Sequence, residues 1–308
     1  MIFNRLRNPC RRALLLLAPV LLSQTMAALA SVLQSQTVAA QATTIHAKAL
    51  IKADSATRAV ALLKAAIEAG PDSAAYHVWL AAAYTDLGSQ ANFFRQFGYV
   101  RRIRGELQRA VALDSNSVDA HSELSRFYLT APGILGGSLS RAESEARKIA
   151  TLSASRSHGL LGYIAHHRGD LKTAEREMRS AITAQPDSAW PYTALAFLLT
   201  DEQRNDEAFS LWEKSVSLDS TFRNSYLQMG AIGATTGTHL AQAAVALEHY
   251  VTNPPGLRDT RNVASAYNKL GHVYEKQGRT TDARRAYEKA IALAPNSSTY
   301  KASLKALG

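Results

Sequence analysis

The sequence predicts an all-α protein, a solenoid of about seven stacked helix pairs closed by a C-terminal capping helix. Three observations carry this. Small residues recur at fixed spacing, as at Gly271, Ala283 and Ala290 within YNKLGHVYEKQGRTTDARRAYEKAIALAP (Tyr267–Pro295). Glycines 88, 169, 237 and 278 all fall at the fifteenth position of the repeating pattern, where the chain must turn and positive φ is useful. Prolines at 71, 186 and 295 follow apolar-periodic stretches and stop a helix from continuing.

The physics of such a unit explains its residues. Two antiparallel helices share one repeat only if their axes approach to roughly 8–10 Å. Glycine or alanine at the eighth, twentieth and twenty-seventh positions permits that approach. Large residues at the fourth, seventh, eleventh and twenty-fourth fill the space between helices and toward the next repeat.

Taken in order, a repeat starting near 40 offers Leu50, Ala59, Leu63, Ala66 and Pro71. One near 74 offers Leu80, Ala81, Tyr84 and Gly88, and one near 118 offers His121, Leu124, Ser125, Tyr128, Ala142, Ala146 and Ile149. The repeat near 155 has Leu161, Gly162, Gly169, Ala174, Met178, Ala181 and Pro186. The next, near 189, has Tyr192, Leu195, Ala196, Leu199, Ala208, Trp212 and Ser215. Near 223 stand Tyr226, Met229, Gly230 and Gly237, with the second helix slipped by one residue to Ala243, Leu247 and Tyr250. The last repeat, near 264, holds Tyr267, Leu270, Gly271, Tyr274, Gly278, Ala283, Tyr287, Ala290 and Pro295, and residues 298–308 form the cap.

Those slots resemble the tetratricopeptide pattern of 34 residues, W-x2-L-G-x2-Y…A-x3-F…A…P. The pairing of FFRQFG with FYLTAPGILGG further resembles a bacterial secreted subgroup of that family, which implies no defined activity. The resemblance implies a right-handed superhelix with a concave face lined by first helices, chiefly at repeat positions two, five, nine and twelve. Carried onto this sequence, the peptide-groove candidates are Arg126, Arg156, Tyr163, His166, Trp190, Thr193, Phe197, Asn224, Leu227, Asn268 and His272. Some relatives clamp a chaperone's terminal carboxylates with lysines and asparagines. Here Asp119, Ser122, Glu123, Arg126, Gly159, Leu160 and Tyr163 stand at those places and do not reproduce the clamp.

At 308 residues, with 46% hydrophobic and 19% charged, the composition is that of a folded chain. Its N-terminus reads as an export signal over residues 1–30, or to 42 with the later cleavage site. Arg5, Arg7, Arg11 and Arg12 precede the short apolar run ALLLLAPVLL, and small-residue sites follow at Ala28–Ala30 and Ala40–Ala42. That places the mature protein in the periplasm or outside the cell. The chain has 35 basic and 25 acidic residues, net +10; losing four arginines and no acid leaves 31 basic residues and +6. Cys10 is the only cysteine, so the mature chain has no disulfide and rests on packing.

Three stretches depart from the repeat. Residues 89–102 run about ten too long and mix Phe93, Phe94, Phe97 and Tyr99 with Arg95, Arg101, Arg102 and Arg104. The plain expectation is an extended helix pair with packed aromatics and solvated arginines. The sharper one is a surface for an anionic membrane or a partner, using Phe93, Phe94, Phe97, Arg101, Arg102 and Arg104. Single-stranded nucleic acid also suits such a mixture, but export argues against it and no nucleic-acid partner is expected. APGILGGSLS (Ala131–Ser140) is a structured loop between helices, lacking the Lys-Ser/Thr of a phosphate loop. TNPPGLRDTRN (Thr252–Asn262) is a loop before the last repeat.

His158, His166 and His167 are the only histidine concentration. Eight residues separate His158 from His166, about 80° out of phase on a helix, so convergence on a metal is not expected. Asp170 is expected to cap the helix that follows. No H-E-x-x-H, G-x-S-x-G or Walker sequence appears. The expectation is an exported, non-enzymatic scaffold without cofactor or metal, binding a protein or peptide segment. A membrane-surface protein and a hydrolase or metal site at the three histidines are the alternatives.

Overall fold

The computed structural model describes residues 38–308 apart from 71 and 253–259. The export segment, Pro71 and most of the Thr252–Asn262 insertion lie outside the described residues. Among the described residues all regular structure is helical, with no strand. The chain divides into two compact units between Ser115 and Asn116.

The first unit contains α1 (38–52), α2 (Ala56–Ala69), α3 (Ala74–Gln90) and α4 (Phe93–Leu113). Ala47, Ala59, Leu63, Tyr76, Leu80 and Tyr84 form its core. Alanine recurs where helices touch because a larger side chain would force their axes apart. Asp54 (φ 63) turns the chain between α1 and α2.

The extra residues of the 89–102 stretch lengthen both helices, to 17 residues in α3 and 21 in α4. Only Ala91 and Asn92 separate them, and the Asn92 side chain accepts from the Arg95 N–H. Gly88 is therefore not the turn glycine its spacing predicts. It sits inside α3, where an added Cβ would meet the Tyr99 Cβ at 3.2 Å. Close approach of α4, not backbone freedom, occupies this glycine.

The second unit runs through α5 (Val118–Thr130), α6 (Leu139–Lys148), α7 (Ala154–His167), α8 (Leu171–Ala184), α9 (Ala189–Asp201) and α10 (Asn205–Leu218). It continues with α11 (Arg223–Thr236), α12 (Leu240–Thr252), α13 (Thr260–Lys276), α14 (Thr280–Leu293) and α15 (Ser298–Ala306). Each odd-numbered helix from α5 to α13 packs against the even-numbered helix that follows it, and each pair packs against the next along the chain. Helix α13 begins four residues before Ala264, so its first turn precedes the repeat.

The small residues act as expected at the helix crossings. An added Cβ at Gly162 would lie 2.7 Å from Met178 Cγ, at Gly230 2.1 Å from Leu247 Cγ, and at Gly271 2.3 Å from Tyr287 Cε1. Gly169, Gly237 and Gly278 have φ of 78, 80 and 74 and make the turns. Gln203 takes the same place in the 189 repeat with φ 61. Asp170 accepts from the Thr173 N–H and caps α8.

The loop between α5 and α6 is tightly built. A 3-10 turn spans Gly133–Leu135, Gly136 has φ 103, and the Ser138 N–H donates to the Tyr128 carbonyl at 2.7 Å. A Cβ at Gly137 would fall 1.7 Å from the Ala131 carbonyl oxygen, so only glycine fits.

Two buried clusters hold the helices from α7 onward, while Leu124, Tyr128, Ala142 and Ala146 are buried between α5 and α6. One gathers Trp212, Phe209, Leu195, Leu199 and Met178; the other Tyr287, Tyr274, Leu270, Leu247 and Tyr250. Leu304 of α15 and Leu307 just after it pack against the second.

Candidate functional site

The groove candidates all lie on α5, α7, α9, α11 and α13. Helix α5 packs on α7, α7 on α9, and α11 on α13, so side chains from separate repeats meet.

Arg126 is exposed at the end of α5 and its charge reaches Tyr163 on α7. Burial pushes the Tyr163 phenol up, and the Arg126 guanidinium only partly offsets this. Arg156 of α7 donates to Asp119 of α5 at 3.3 Å. From α9, the Trp190 indole lies over Gly159 of α7, where an added Cβ would be 2.0 Å from Trp190 Cη2. The Thr193 hydroxyl donates to the Trp190 carbonyl at 2.7 Å. His166 Nε2 stands 3.6 Å from Asp201 Oδ2 on α9. These residues of α5, α7 and α9 form one polar–aromatic strip.

The remaining candidates are placed less uniformly. Phe197 is 37% exposed and meets Trp212 edge to face at 4.6 Å, so it is seated on α10. Asn224 is exposed, while Leu227 packs against the C-terminal core. His272 is engaged internally: its Nδ1 lies 2.8 Å from the Tyr287 hydroxyl and its Nε2 3.4 Å from Ser303 Oγ. Tyr287 donates to Glu275 at 2.7 Å; burial and that carboxylate push its phenol up.

Asn268 is 8% exposed and its Oδ1 has no hydrogen-bond partner. An unpaired buried acceptor is uncommon and costly. Next to it in sequence, Lys269 is half-buried, donates to Ser265 Oγ at 2.7 Å, and is pushed down by burial. Lys269 and Ser265 escaped the sequence reading. Their positions, six and two of the last repeat, carry the same side-chain types in countless exposed helices.

A second missed feature is a set of His–Glu pairs. His77 Nδ1 is 2.5 Å from Glu106, His121 Nδ1 2.6 Å from Glu145, and His158 Nδ1 2.8 Å from Glu177. Each histidine is fourth in its repeat, and each glutamate directly precedes a buried residue of the second helix: Leu107, Ala146 and Met178. That double spacing was a visible signal. It assigns His158 to α8 through Glu177, while His167 is exposed. Among the described residues no group of three or more His, Cys, Asp or Glu side chains is arranged to hold a metal ion.

In the 89–102 stretch, Tyr99 packs on Tyr84 and Gly88, with Arg102 over the Tyr84 and Tyr99 rings at 5.7 and 5.9 Å. The expectation of packed aromatics fails for Phe93 and Phe94, which are 67% and 84% exposed. They sit at the N-terminal tip of α4, beyond the reach of the core.

Helix pairs crossing at glycine and alanine, turned by left-handed glycines, define a helical-repeat protein. Residues 264–297 and 46–100 each match a family model described as tetratricopeptide repeat. The chain thus carries tetratricopeptide repeats in both units, a fold that serves protein–protein interaction. Among solved structures it is similar to one titled APC/C hetero-tetramer Cut9–Hcn1, with TM-score 0.57, 13% identity, and coverage of 86% of this chain and 48% of that one. It is also similar to TTC0263, a thermophilic repeat protein of Thermus thermophilus, with TM-score 0.51, 18% identity, and coverage of 63% and 98%. At these identities the likeness is one of fold. No curated relative matches the sequence.

Proposed function

We propose that the chain is an exported, non-enzymatic scaffold that binds an extended protein or peptide segment across the first helices of its second unit. The observation that carries this is the contact of candidate residues with neighbouring repeats: Arg156 donating to Asp119 at 3.3 Å, and the Trp190 indole over Gly159. An extended segment needs hydrogen bonds for its backbone and pockets for alternate side chains. Thr193, His166 and the rim of the Trp190 indole offer both, while Arg126 and Arg156 favour acidic side chains. Export rests on the arginine-then-apolar pattern of residues 1–30.

A peptide library selected on the full chain tests the binding claim. Enriched peptides are expected to be extended and acidic, and to weaken by roughly tenfold or more on Arg126→Ala plus Trp190→Ala, a loss of about 1.4 kcal/mol. No enrichment, or equal binding to a variant whose thermal melt shows it folded, overturns the reading.

A further inference from the structure

We infer that the tip of α4 is a docking surface for an anionic lipid bilayer. Phe93, Phe97 and Arg101 recur every four residues and Arg104 follows at three, which puts them on one face; Phe94 borders it. The opposite face packs inward through Tyr99 and Ala110. Phe93 meets Phe97 edge to face at 5.0 Å and Phe94 at 5.7 Å, so three rings cluster at the helix start.

Two of those rings are the most exposed phenylalanines described, at 67% and 84%. Leaving them in water has no purpose in the fold, since Tyr99, further along the helix, makes the contact with α3. Exposed apolar clusters of this kind mark interaction sites.

Charge decides the occupant. Between Asp86 and Glu106 the chain carries four arginines and no acid. The exposed Arg101 lies ~12 Å along the axis from Phe93, at 1.5 Å per residue. An inclined helix then meets a bilayer in the order the bilayer presents: rings at the acyl boundary, guanidinium groups among the headgroup phosphates. Among the described residues no helix is long and apolar enough to cross a membrane, so the contact is peripheral.

The test places an environment-sensitive NBD label at Phe94→Cys in a Cys10→Ser background of the full chain, with a control label at Lys301→Cys. Vesicles of phosphatidylcholine with about 30 mol % phosphatidylglycerol are expected to blue-shift the Phe94 label and leave the control unchanged. Pure phosphatidylcholine gives little shift. Arg101→Gln weakens the response by roughly fivefold, and raised salt weakens it too. Insertion of the apolar N-terminal run instead would bind vesicles without shifting the Phe94 label, and would overturn the inference. So would an equal shift in the arginine variant, or a shift with polyglutamate and none with vesicles.

Discussion

His121 Nδ1 on α5 lies 2.6 Å from Glu145 Oε2 on α6, and both side chains are buried. The pair joins the two helices of its repeat at a place where the family pattern has a large aromatic. Lys148 also donates to Glu145, at 2.9 Å. Truncating His121 to Ala leaves a buried carboxylate short of a donor and opens a gap. The expected cost is about 1–3 kcal/mol. Replacing both partners by leucine should recover most of that loss, because neither polar group is then stranded. Chemical denaturation of the single and double variants measures the difference; an equal loss in both would mean that packing alone matters.

His77 makes the corresponding contact under a different charge balance. Burial disfavours its imidazolium, but Glu106 at 2.5 Å and Asp72 at 2.8 Å outweigh that, and its pKa is raised. A raised folded-state pKa adds stability that is fully present below the unfolded value, about 6.5. That contribution disappears as pH rises through the folded value. The denaturation midpoint of the wild type should therefore fall as pH rises above about 6.5, and that of His77→Gln should be flatter. Arg109 pairs with Asp72 at 3.1 Å, and the Asp72 carboxyl is lowered despite its burial. Its share behaves in the opposite sense, present above about 3.8 and lost as pH falls. A wild-type midpoint that does not move across the neutral range would remove the His77 assignment.

Glycine substitutions separate close approach from turn geometry. Gly271→Ala pushes a methyl to within 2.3 Å of the fully buried Tyr287 ring and should cost about 1–3 kcal/mol through overpacking. Gly278→Ala meets no atom within 4 Å but keeps φ at 74, and should cost about 1 kcal/mol through backbone strain. At Gly88 the helix gains from alanine while Tyr99 must give by a few tenths of an ångström. The two effects nearly cancel, so a change under about 0.5 kcal/mol is expected. Thermal melts of the three variants check the ranking.

Gly88 also shows where the sequence was legible and where it was not. Repeat spacing located the helix pairs, the Gly162, Gly230 and Gly271 crossings and the Gly169, Gly237 and Gly278 turns, because each depends on residues near in sequence. The same spacing misplaced Gly88, since nothing local announces that α3 continues to Gln90. The candidate strip was half legible. Position within a first helix selected Tyr163 and Trp190, but only packing shows that His272 is occupied by Tyr287 and Ser303, or that Asn268 Oδ1 lacks a donor. Those outcomes depend on side chains from other helices, which a single helical period does not encode.

Tyr287 closes the C-terminal pair with its whole side chain buried. Tyr287→Ala should cost roughly 3–5 kcal/mol, because the surrounding alanines and Leu270 can only partly collapse into the cavity. Tyr287→Phe keeps the ring and removes the hydroxyl that serves Glu275 and His272, with an expected loss of about 1 kcal/mol. Ala283, fully buried on the same helix, should tolerate leucine no better than Gly271 tolerates alanine. Melts within error of wild type for all three would show that α13 and α14 are not packed in this register.

Gly159→Ala probes the proposed strip from beneath. A methyl there would stand 2.0 Å from Trp190 Cη2, closer than any real contact, so the indole must swing away. The displaced atom is the far end of a half-buried side chain rather than backbone, which keeps the stability cost at or below about 1 kcal/mol. The alanine even improves the propensity of α7 slightly. The recognition surface, by contrast, loses the position of its largest aromatic. Stability close to wild type combined with peptide binding weakened about tenfold is the expected result, read by thermal melt and by titration. Unchanged binding with Trp190 displaced would show that the indole packs between repeats and takes no part in recognition.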